Sequence, residues 1–141
     1  MSGPHFQLHP QLARDTFPVA ALTLSELLLM NDSRFPWCIL VPRLPDLTGL
    51  HELPVNRREL LFDEISRVSR VLLTEPRVQR INVGALGNIV QQLHIHVVGR
   101  RSTDPAWPGP VWGHAGAVSY AEAAAAEMTA RLAAALDGHR L

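Results

Sequence analysis

The segment QQLHIHVV, residues 91–98, alternates polar and aliphatic positions with a period of two. Successive side chains of a β-strand leave opposite faces of the sheet, so this spacing predicts a strand over residues 91–100. Gln92, His94 and His96 fall on one face of that strand, and the aliphatic residues between them fall on the other. The aliphatic face predicts part of a buried core, and the polar face predicts a site.

Three further segments have strand character. DTFPVAALTLSELLLMND, residues 15–32, is rich in β-prone residues, and WCILVPR, residues 37–43, ends near Pro42. The turn-forming NDSRFP between them predicts a hairpin of one strand from each segment. RVQRINVGAL, residues 77–86, predicts another strand, which joins the strand at 91–100 through a turn around Gly87 and Asn88.

Two segments have helical periodicity. Residues 56–74 place their apolar side chains on one helical face, with Asn56 and Glu59 as a capping box and Pro76 beyond the end. A last helix over about 119–137 is predicted to be capped by Ser119 and Glu122. Its apolar side carries Ala125, Met128, Leu132 and Leu136. Together, the elements predict an α+β fold: an open antiparallel sheet covered on one face by a long helix and a C-terminal helix.

Length and composition narrow the possible functions. The chain has 141 residues, 47% of them hydrophobic, which predicts a single domain over 1–141. Thirteen basic residues balance thirteen acidic ones, so a nucleic-acid partner is not expected, although a small anion needs only local donors. The apolar runs are shorter than the roughly 20 residues of a membrane helix, and MSGPHFQLHP lacks the features of a secretory signal. We therefore expect a cytoplasmic protein with no membrane partner.

The paired histidines admit three interpretations. Residues two apart on a strand lie roughly 6.6 Å apart, so His94 and His96 can both contact one phosphate-sized group. They could be solvated or structurally satisfied histidines, ligands of a metal ion, or groups for covalent phosphoryl chemistry. A metal needs further ligands, and the remaining histidines (His5, His9, His51, His114 and His139) show no paired spacing. We therefore expect neither a metal site nor a cofactor.

The third interpretation coincides with a family resemblance. QLHIHVV resembles the His-x-His-x-His-x-x signature of the histidine triad (HIT) superfamily, with Gln92 in place of the first histidine. WCILVPR resembles the family strand that ends in a Pro-Lys/Arg pair, and LTGLHEL the segment after it. INVGALGNIVQQLHIHVVGR is similar to the Asn-x-Gly turn leading into the triad strand, and DPAWPGPVW to the tail found in some members. The similarity covers about residues 20–112.

The resemblance implies roles for individual residues. His94 matches the central histidine, which attacks the α-phosphate of a nucleotide, and His96 matches the last, which contacts the phosphate and the leaving group. Asn82 matches an asparagine near the phosphate, and Gly87 the glycine of the turn that approaches it. The tautomer of the nucleophile is expected to be set by the backbone carbonyl of residue 92.

Several positions depart from the family pattern. Gln92 does not titrate but can donate an amide hydrogen bond to a phosphate, and Gln92→His is expected to keep or raise activity. Ile89 stands where many members have Ser or Thr, and Asn88 where some have Gln. Leu29 stands where an acidic residue holds the ribose, so Asn31 or Asp32 is expected to replace it. Phosphate steering is expected from Arg43 and Arg100.

These expectations define two functions. The first is a nucleotide hydrolase or nucleotidyl transferase that acts through His94 on a substrate such as a diadenosine polyphosphate or a nucleoside phosphoramidate. The second is a nucleotide-binding or interaction protein that has lost turnover. For either function, the resemblance and the Ala-rich last helix favour a homodimer.

Overall fold

The computed structural model describes residues 5–138, and within them a five-stranded antiparallel sheet forms the centre, in the order β1-β2-β3-β5-β4. Its strands are β1 (Thr16–Ala21), β2 (Ser25–Met30), β3 (Trp37–Pro42), β4 (Arg80–Gly84) and β5 (Ile95–Arg100). The helices over the same residues are α1 (Pro10–Asp15), α2 (Val55–Leu72) and α3 (Glu122–Gly138), with a short 3-10 helix at Leu50–Glu52. The α+β class with an antiparallel sheet, a long helix and a C-terminal helix is confirmed.

Residues 15–32 form two strands, whereas the sequence pattern predicted one. β1 and β2 pair antiparallel with Phe17 opposite Leu29, and the Leu22 amide donates to the Ser25 carbonyl at 2.8 Å across the turn between them. That turn contains none of the Gly, Pro, Asn or Asp residues that usually mark one. The turn was therefore missed because apolar residues continue through it.

Helix α1 was also not predicted. It has six residues, too few to show a helical period, and Pro10 lies in its first turn. The His9 side chain caps it, because Nδ1 accepts a hydrogen bond from the Gln11 amide at 3.0 Å. The capping histidine is not one of the residues that usually mark a helix start.

Helix α2 lies close to the predicted range, and its buried residues include Leu61, Val68 and Leu72 from the predicted apolar face. The predicted capping box was wrong. The N-cap is Pro54, so Asn56 lies inside the first turn. Pro at this position limits the backbone of the preceding segment and removes no helical hydrogen bond, which allows the helix to start one residue before Asn56.

Helix α3 buries the four predicted residues, Ala125, Met128, Leu132 and Leu136. It begins at Glu122, so Ser119 lies too far upstream to cap it. Arg131 joins this helix to the segment that follows α2, since its Nη2 donates to Glu75 Oε1 at 2.8 Å. None of the helices within residues 5–138 has the length and apolarity that crossing a bilayer requires.

Both faces of the sheet are covered, although only one was expected to be. On one face, residues including Leu29, Cys38 and Leu40 pack with Leu93, Ile95 and Val97 against α2 and α3. On the other face a second cluster contains Ile39 and Val98, Leu12 of α1 and Val111 from the segment after β5. All residues of β3 and β5 are buried as a result.

Arg100, at the end of β5, is the centre of a buried polar network. Its side chain is 1% exposed. Nε donates to Asp104 Oδ2 and Nη1 to Asn82 Oδ1, both at 2.8 Å, while Nη2 donates to the Gly109 carbonyl at 2.7 Å. Burial acts to raise the pKa of Asp104, but hydrogen bonds from Arg100 and the backbone outweigh it and lower that pKa. Through these bonds Arg100 joins β5 to Asn82 of β4 and to Asp104 and Gly109 of the following loop.

Replacing Arg100 with methionine is expected to lower the free energy of unfolding by about 3–5 kcal/mol, because it leaves the Asp104 carboxylate buried without its partner. Arg101→Met, at the more exposed neighbouring position, is the matched control and is expected to cost less than about 1 kcal/mol. Urea denaturation of the three proteins measures both differences. Equal losses in the two variants would contradict a structural role specific to Arg100.

Candidate active site

A cleft of about 700 Å³ opens on the face of the sheet that carries the second cluster. This volume lies within the range of small-molecule binding sites. Six parts of the chain form it: α1, the end of β2 with the residues after it, β3, the turn before β5, β5 with His94 just before it, and the segment 111–119. His94 and His96 both line it, together with Trp37, Ile39, Val90 and Trp112 among others.

His94 lies immediately before β5, where residues 91–94 continue towards the loop at Leu47 rather than pairing in the sheet. The Leu93 amide donates to the Leu47 carbonyl at 2.8 Å. His94 Nδ1 lies 2.7 Å from the backbone carbonyl oxygen of Gln92. Because a carbonyl only accepts hydrogen bonds, the proton lies on Nδ1, and the neutral ring keeps its lone pair on Nε2. The structure thus contains the contact that was expected between His94 and the carbonyl of residue 92.

His96 has the opposite tautomer. The indole Nε1 of Trp37 donates to His96 Nδ1 at 3.0 Å, and an indole nitrogen can only donate. A neutral His96 therefore carries its proton on Nε2. Burial, and then the neighbouring His94, lower the pKa of His96 to about 4. The ring is consequently an uncharged hydrogen-bond donor at neutral pH.

The two imidazoles lie against each other in the cleft. Their centroids are 4.9 Å apart with an interplanar angle of 66°. Trp112 contacts His96 edge-on, with centroids 5.6 Å apart. Trp112 approaches because β4 has Gly84 opposite His96, and a Cβ at Gly84 would lie 3.0 Å from the indole ring. Packing thus limits the positions that both rings can adopt.

Gln92 is near the histidines but its side chain bonds elsewhere. Oε1 accepts from the His9 amide at 2.8 Å, and Nε2 donates to the Gln7 carbonyl at 2.7 Å. The residue lines a smaller hollow that also includes His94, and it is absent from the lining of the main cleft within residues 5–138. The three polar residues predicted to share a face are therefore not equivalent in the structure.

The turn before β5 brings to the cleft Gly87 and Asn88, which were predicted as site residues, and also Ile89. Gly87 lines it with φ of +69°, a left-handed conformation that favours glycine. Asn88 and Ile89 follow in the same turn and line the cleft. Ile89 is 93% exposed, so a large apolar side chain faces solvent beside the cleft.

The residues after β2 also reach the cleft, and Leu29 does not. Leu29 is fully buried in the first core cluster, whereas Asn31 and Asp32 line the cleft. Asn31 Oδ1 accepts from the Tyr120 amide at 2.8 Å, and Asp32 forms an ion pair with Arg34 at 2.8 Å. Burial acts to raise the pKa of Asp32, but the hydrogen bonds from Arg34 and the backbone outweigh it and lower that pKa.

Three residues predicted to bind substrate lie away from the cleft lining described above. Asn82 and Arg100 bond to each other in the buried network. Arg43 lies at the end of β3, where it donates to the Leu22 and Thr23 carbonyls and faces Glu26 at 3.7 Å. Each has protein partners within residues 5–138, although Arg43 Nη1 makes no hydrogen bond there and only faces Glu26.

Sequence reasoning missed several residues that shape the site. Trp37 and Trp112 were not among the predicted site residues, yet Trp37 donates to His96 Nδ1 and both line the cleft. Arg14 and its neighbours in α1 were missed because α1 itself was not predicted. Within residues 5–138, no group of three or more His, Cys, Asp or Glu side chains is arranged to hold a metal ion.

Comparison with known proteins defines the family. The HIT domain model matches residues 13–103. A histidine triad protein from Sinorhizobium meliloti is 43% identical, with a TM-score of 0.87 over 90% of this chain and 94% of that one. Another from Marinobacter aquaeolei is 42% identical, with a TM-score of 0.89 over 97% and 100%. One from Bradyrhizobium japonicum is 38% identical, with a TM-score of 0.87 over 96% and 98%. No curated protein matches the chain. The chain belongs to the HIT family.

The lowered pKa of His96 makes folding stability depend on pH. An unfolded imidazole gains its proton near pH 6.5, and the folded His96 only near pH 4. The contribution of neutral His96 to the free energy of unfolding is therefore complete above pH 6.5, and it is lost as the pH drops from 6.5 towards 4. Between about pH 7.5 and 4.5 we expect wild type to lose about 2 kcal/mol more than His96→Asn, as measured by urea denaturation. Equal losses would show that the folded imidazole titrates normally.

Proposed function

We propose that this protein is a nucleotide hydrolase or nucleotidyl transferase that acts at an α-phosphate through a covalent bond to His94 Nε2. The observation that carries the proposal is the 2.7 Å contact between His94 Nδ1 and the Gln92 carbonyl, at the edge of the cleft. This contact leaves the lone pair on Nε2 available for attack. Membership of the HIT family supports the same chemistry.

The proposed reaction has two displacements. In the first, His94 Nε2 forms a bond to the α-phosphorus, and the bond from phosphorus to the leaving group breaks. The imidazole becomes positively charged, and the Gln92 carbonyl stabilises this charge through the Nδ1 proton. In the second, the oxygen of water or of another acceptor attacks phosphorus, the phosphorus–nitrogen bond breaks, and the acceptor proton is released to solvent. Dividing one difficult displacement into two lowers the barrier of each.

His96 supports the reaction as a neutral donor. Its proton lies on Nε2 because Trp37 occupies Nδ1, so it can donate to a phosphate oxygen on which charge develops. With a pKa near 4, it does not supply a proton to the leaving group at neutral pH. A leaving group that is a good anion, such as a phosphate, needs no such acid, which favours a polyphosphate substrate over an amine-releasing one.

The remaining lining suggests how a nucleotide lies in the cleft. Gly87 and Asn88 lie on the turn beside the histidines, where backbone and amide groups can bind phosphate oxygens. Asn31 uses Oδ1 to accept from Tyr120, which leaves its Nδ2 to donate to a ribose hydroxyl. Asn31 and Asp32 thus take the place of the acidic residue that Leu29 replaces.

One observation favours the second candidate, a nucleotide-binding protein without turnover. Ile89 stands 93% exposed at the cleft, where many family members have a hydroxyl side chain that contacts phosphate. Loss of that contact weakens stabilisation of the transition state more than it weakens binding. We rank this function second, because both histidines retain tautomers suited to catalysis.

A cytoplasmic location and a homodimer belong to the same proposal. Cys38 is a buried free thiol, a state that a reducing compartment preserves. Val83 on the edge strand β4 and Phe62 on α2 are 48% and 68% exposed, and a second copy would cover such apolar surface. Sedimentation equilibrium is expected to show a dimer at micromolar concentration, and a monomer throughout would contradict it.

The central test is His94→Ala. We expect turnover of diadenosine polyphosphates to fall by more than about a thousandfold, while AMP affinity changes by less than about threefold. The nucleophile is used mainly along the reaction path, which explains the difference. Coupled assays measure turnover, calorimetry measures AMP binding, and rapid quenching with mass spectrometry detects an acid-labile nucleotidyl adduct on His94.

His51→Ala is the matched control, because His51 is exposed and lies outside the main cleft lining. It is expected to keep wild-type turnover. If wild type binds AMP but shows neither adduct nor turnover on nucleotide phosphate esters and amides, the enzyme function is wrong and the binding function replaces it.

A further inference from the structure

We propose that Gln92 is a positioning residue that fastens the N-terminal segment, residues 7–9, so that α1 stands as one wall of the cleft and recognises the anionic part of the substrate. The Gln92 side chain therefore acts on substrate specificity through α1 and takes no part in the chemistry of the triad. The recognition of substrate rests on the function proposed above, whereas the fastening itself does not.

The carboxamide of Gln92 bonds this segment in the way that a parallel strand would. It accepts from the His9 amide at 2.8 Å and donates to the Gln7 carbonyl at 2.7 Å, on either side of Leu8. In a parallel sheet, the amide and carbonyl of one residue bond to the two residues that flank its neighbour in this manner. Both polar ends of the side chain are thus used by the backbone of the N-terminal segment.

The hydrogen bond from the His9 amide to Gln92 also positions the start of α1. His9 directly precedes the helix, and its Nδ1 caps the Gln11 amide at 3.0 Å. Leu12, on the next turn, is buried in the second core cluster. A six-residue helix is not stable by itself in water, so its position depends on such attachments. At its other end α1 runs directly into β1, and the Asn31 amide donates to the Asp15 carbonyl at 2.9 Å.

The wall that α1 forms is polar, and its cationic side chain, Arg14, stands beside the acidic Asp15. Gln11, Arg14 and Asp15 line the cleft with Leu12. Gln11 Nε2 donates to Asp15 Oδ2, and Arg14 Nη2 donates to Gln11 Oε1, both at 2.7 Å. Elsewhere in the cleft lining, the guanidinium of Arg34 is bound to Asp32. Arg14 instead bonds a neutral amide oxygen, so its charge is available to attract the phosphate chain of a nucleotide.

Histidine cannot replace glutamine in this role. An imidazole is shorter, and its two nitrogens point away from each other, so it cannot accept from His9 and donate to Gln7 together. Gln92→His would therefore release the wall, which reverses the expectation drawn from the family signature. The main-chain carbonyl of residue 92 continues to hold His94 in either case, because the substitution leaves the backbone donor and acceptor groups unchanged.

Gln92→Met tests the proposal, since methionine has a similar length and no amide. Gln91→Met is the matched control at the adjacent exposed position. Arg14→Met removes the positive charge of Arg14 and leaves the two hydrogen bonds of the Gln92 side chain in place. Hydrogen exchange, read by mass spectrometry on peptides within residues 5–15, reports the fastening. Calorimetry with AMP and steady-state kinetics with a diadenosine polyphosphate report its effect on substrate.

Each lost hydrogen bond is worth a factor of roughly 2 to 10 in the docking equilibrium of the segment. In Gln92→Met and Gln92→His, exchange within residues 5–15 is expected to accelerate roughly tenfold, and KM to rise several-fold with a smaller change in kcat. Arg14→Met is expected to raise KM with exchange unchanged. Gln91→Met is expected to match wild type in every measurement.

Unchanged exchange in Gln92→Met would overturn the fastening. Accelerated exchange with unchanged KM and AMP affinity would overturn the role of the wall in recognition, as would an activity gain in Gln92→His. A wild type that neither binds AMP nor turns over any ester would refute the proposed function and the recognition of substrate with it. Hydrogen exchange would still decide whether Gln92 fastens the segment.

Discussion

The hydrogen bond between the Gln92 carbonyl and His94 Nδ1 is the constraint on which the candidate site depends. A main-chain carbonyl accepts and never donates, so it selects one tautomer of His94 whatever side chain residue 92 carries. That independence allows glutamine at position 92 without a change in the tautomer of His94. The carbonyl is held in turn by its surroundings, since Leu93 beside it bonds to the loop at Leu47 and packs into the first core cluster.

The charges and tautomers of the polar side chains in the cleft follow from the partners to which each side chain is bonded. His94 and His96 have opposite tautomers because one bonds to an acceptor and the other to a donor, and neither needs a charge to do so. The acidic Asp32 and the basic Arg34 neutralise each other, and Arg100 is committed to Asp104 in a separate buried network. Arg14 of α1, a helix outside the sheet, also lines the cleft, and its side chain bonds the neutral amide oxygen of Gln11.

Periodicity predicted the elements whose contacts are local or repeat along the chain. The alternation at residues 91–98 placed Leu93, Ile95 and Val97 in the core, and the spacing within α2 and α3 identified their buried faces. Prediction failed where elements are short or lack a marker residue. Thr23 lies in a turn with no glycine or proline, and α1 is held by tertiary contacts more than by its own sequence.

The sequence by itself determined the antiparallel α+β frame, because periodicity marks most of its strands and helices. Its family was indicated by the resemblance of QLHIHVV and the flanking segments to the HIT signature, which includes two histidines and a glycine turn beside them. Only the tertiary structure decided what each polar group bonds to. Trp37 reaches His96 from 59 residues away, and Gln92 reaches Gln7 from 85. Such pairs have no local signal in one sequence, since neither residue constrains its own neighbours. Contacts between distant residues also explain why Asn82 and Arg100 lie outside the cleft lining, where they bond to each other, and why α1 lies in it.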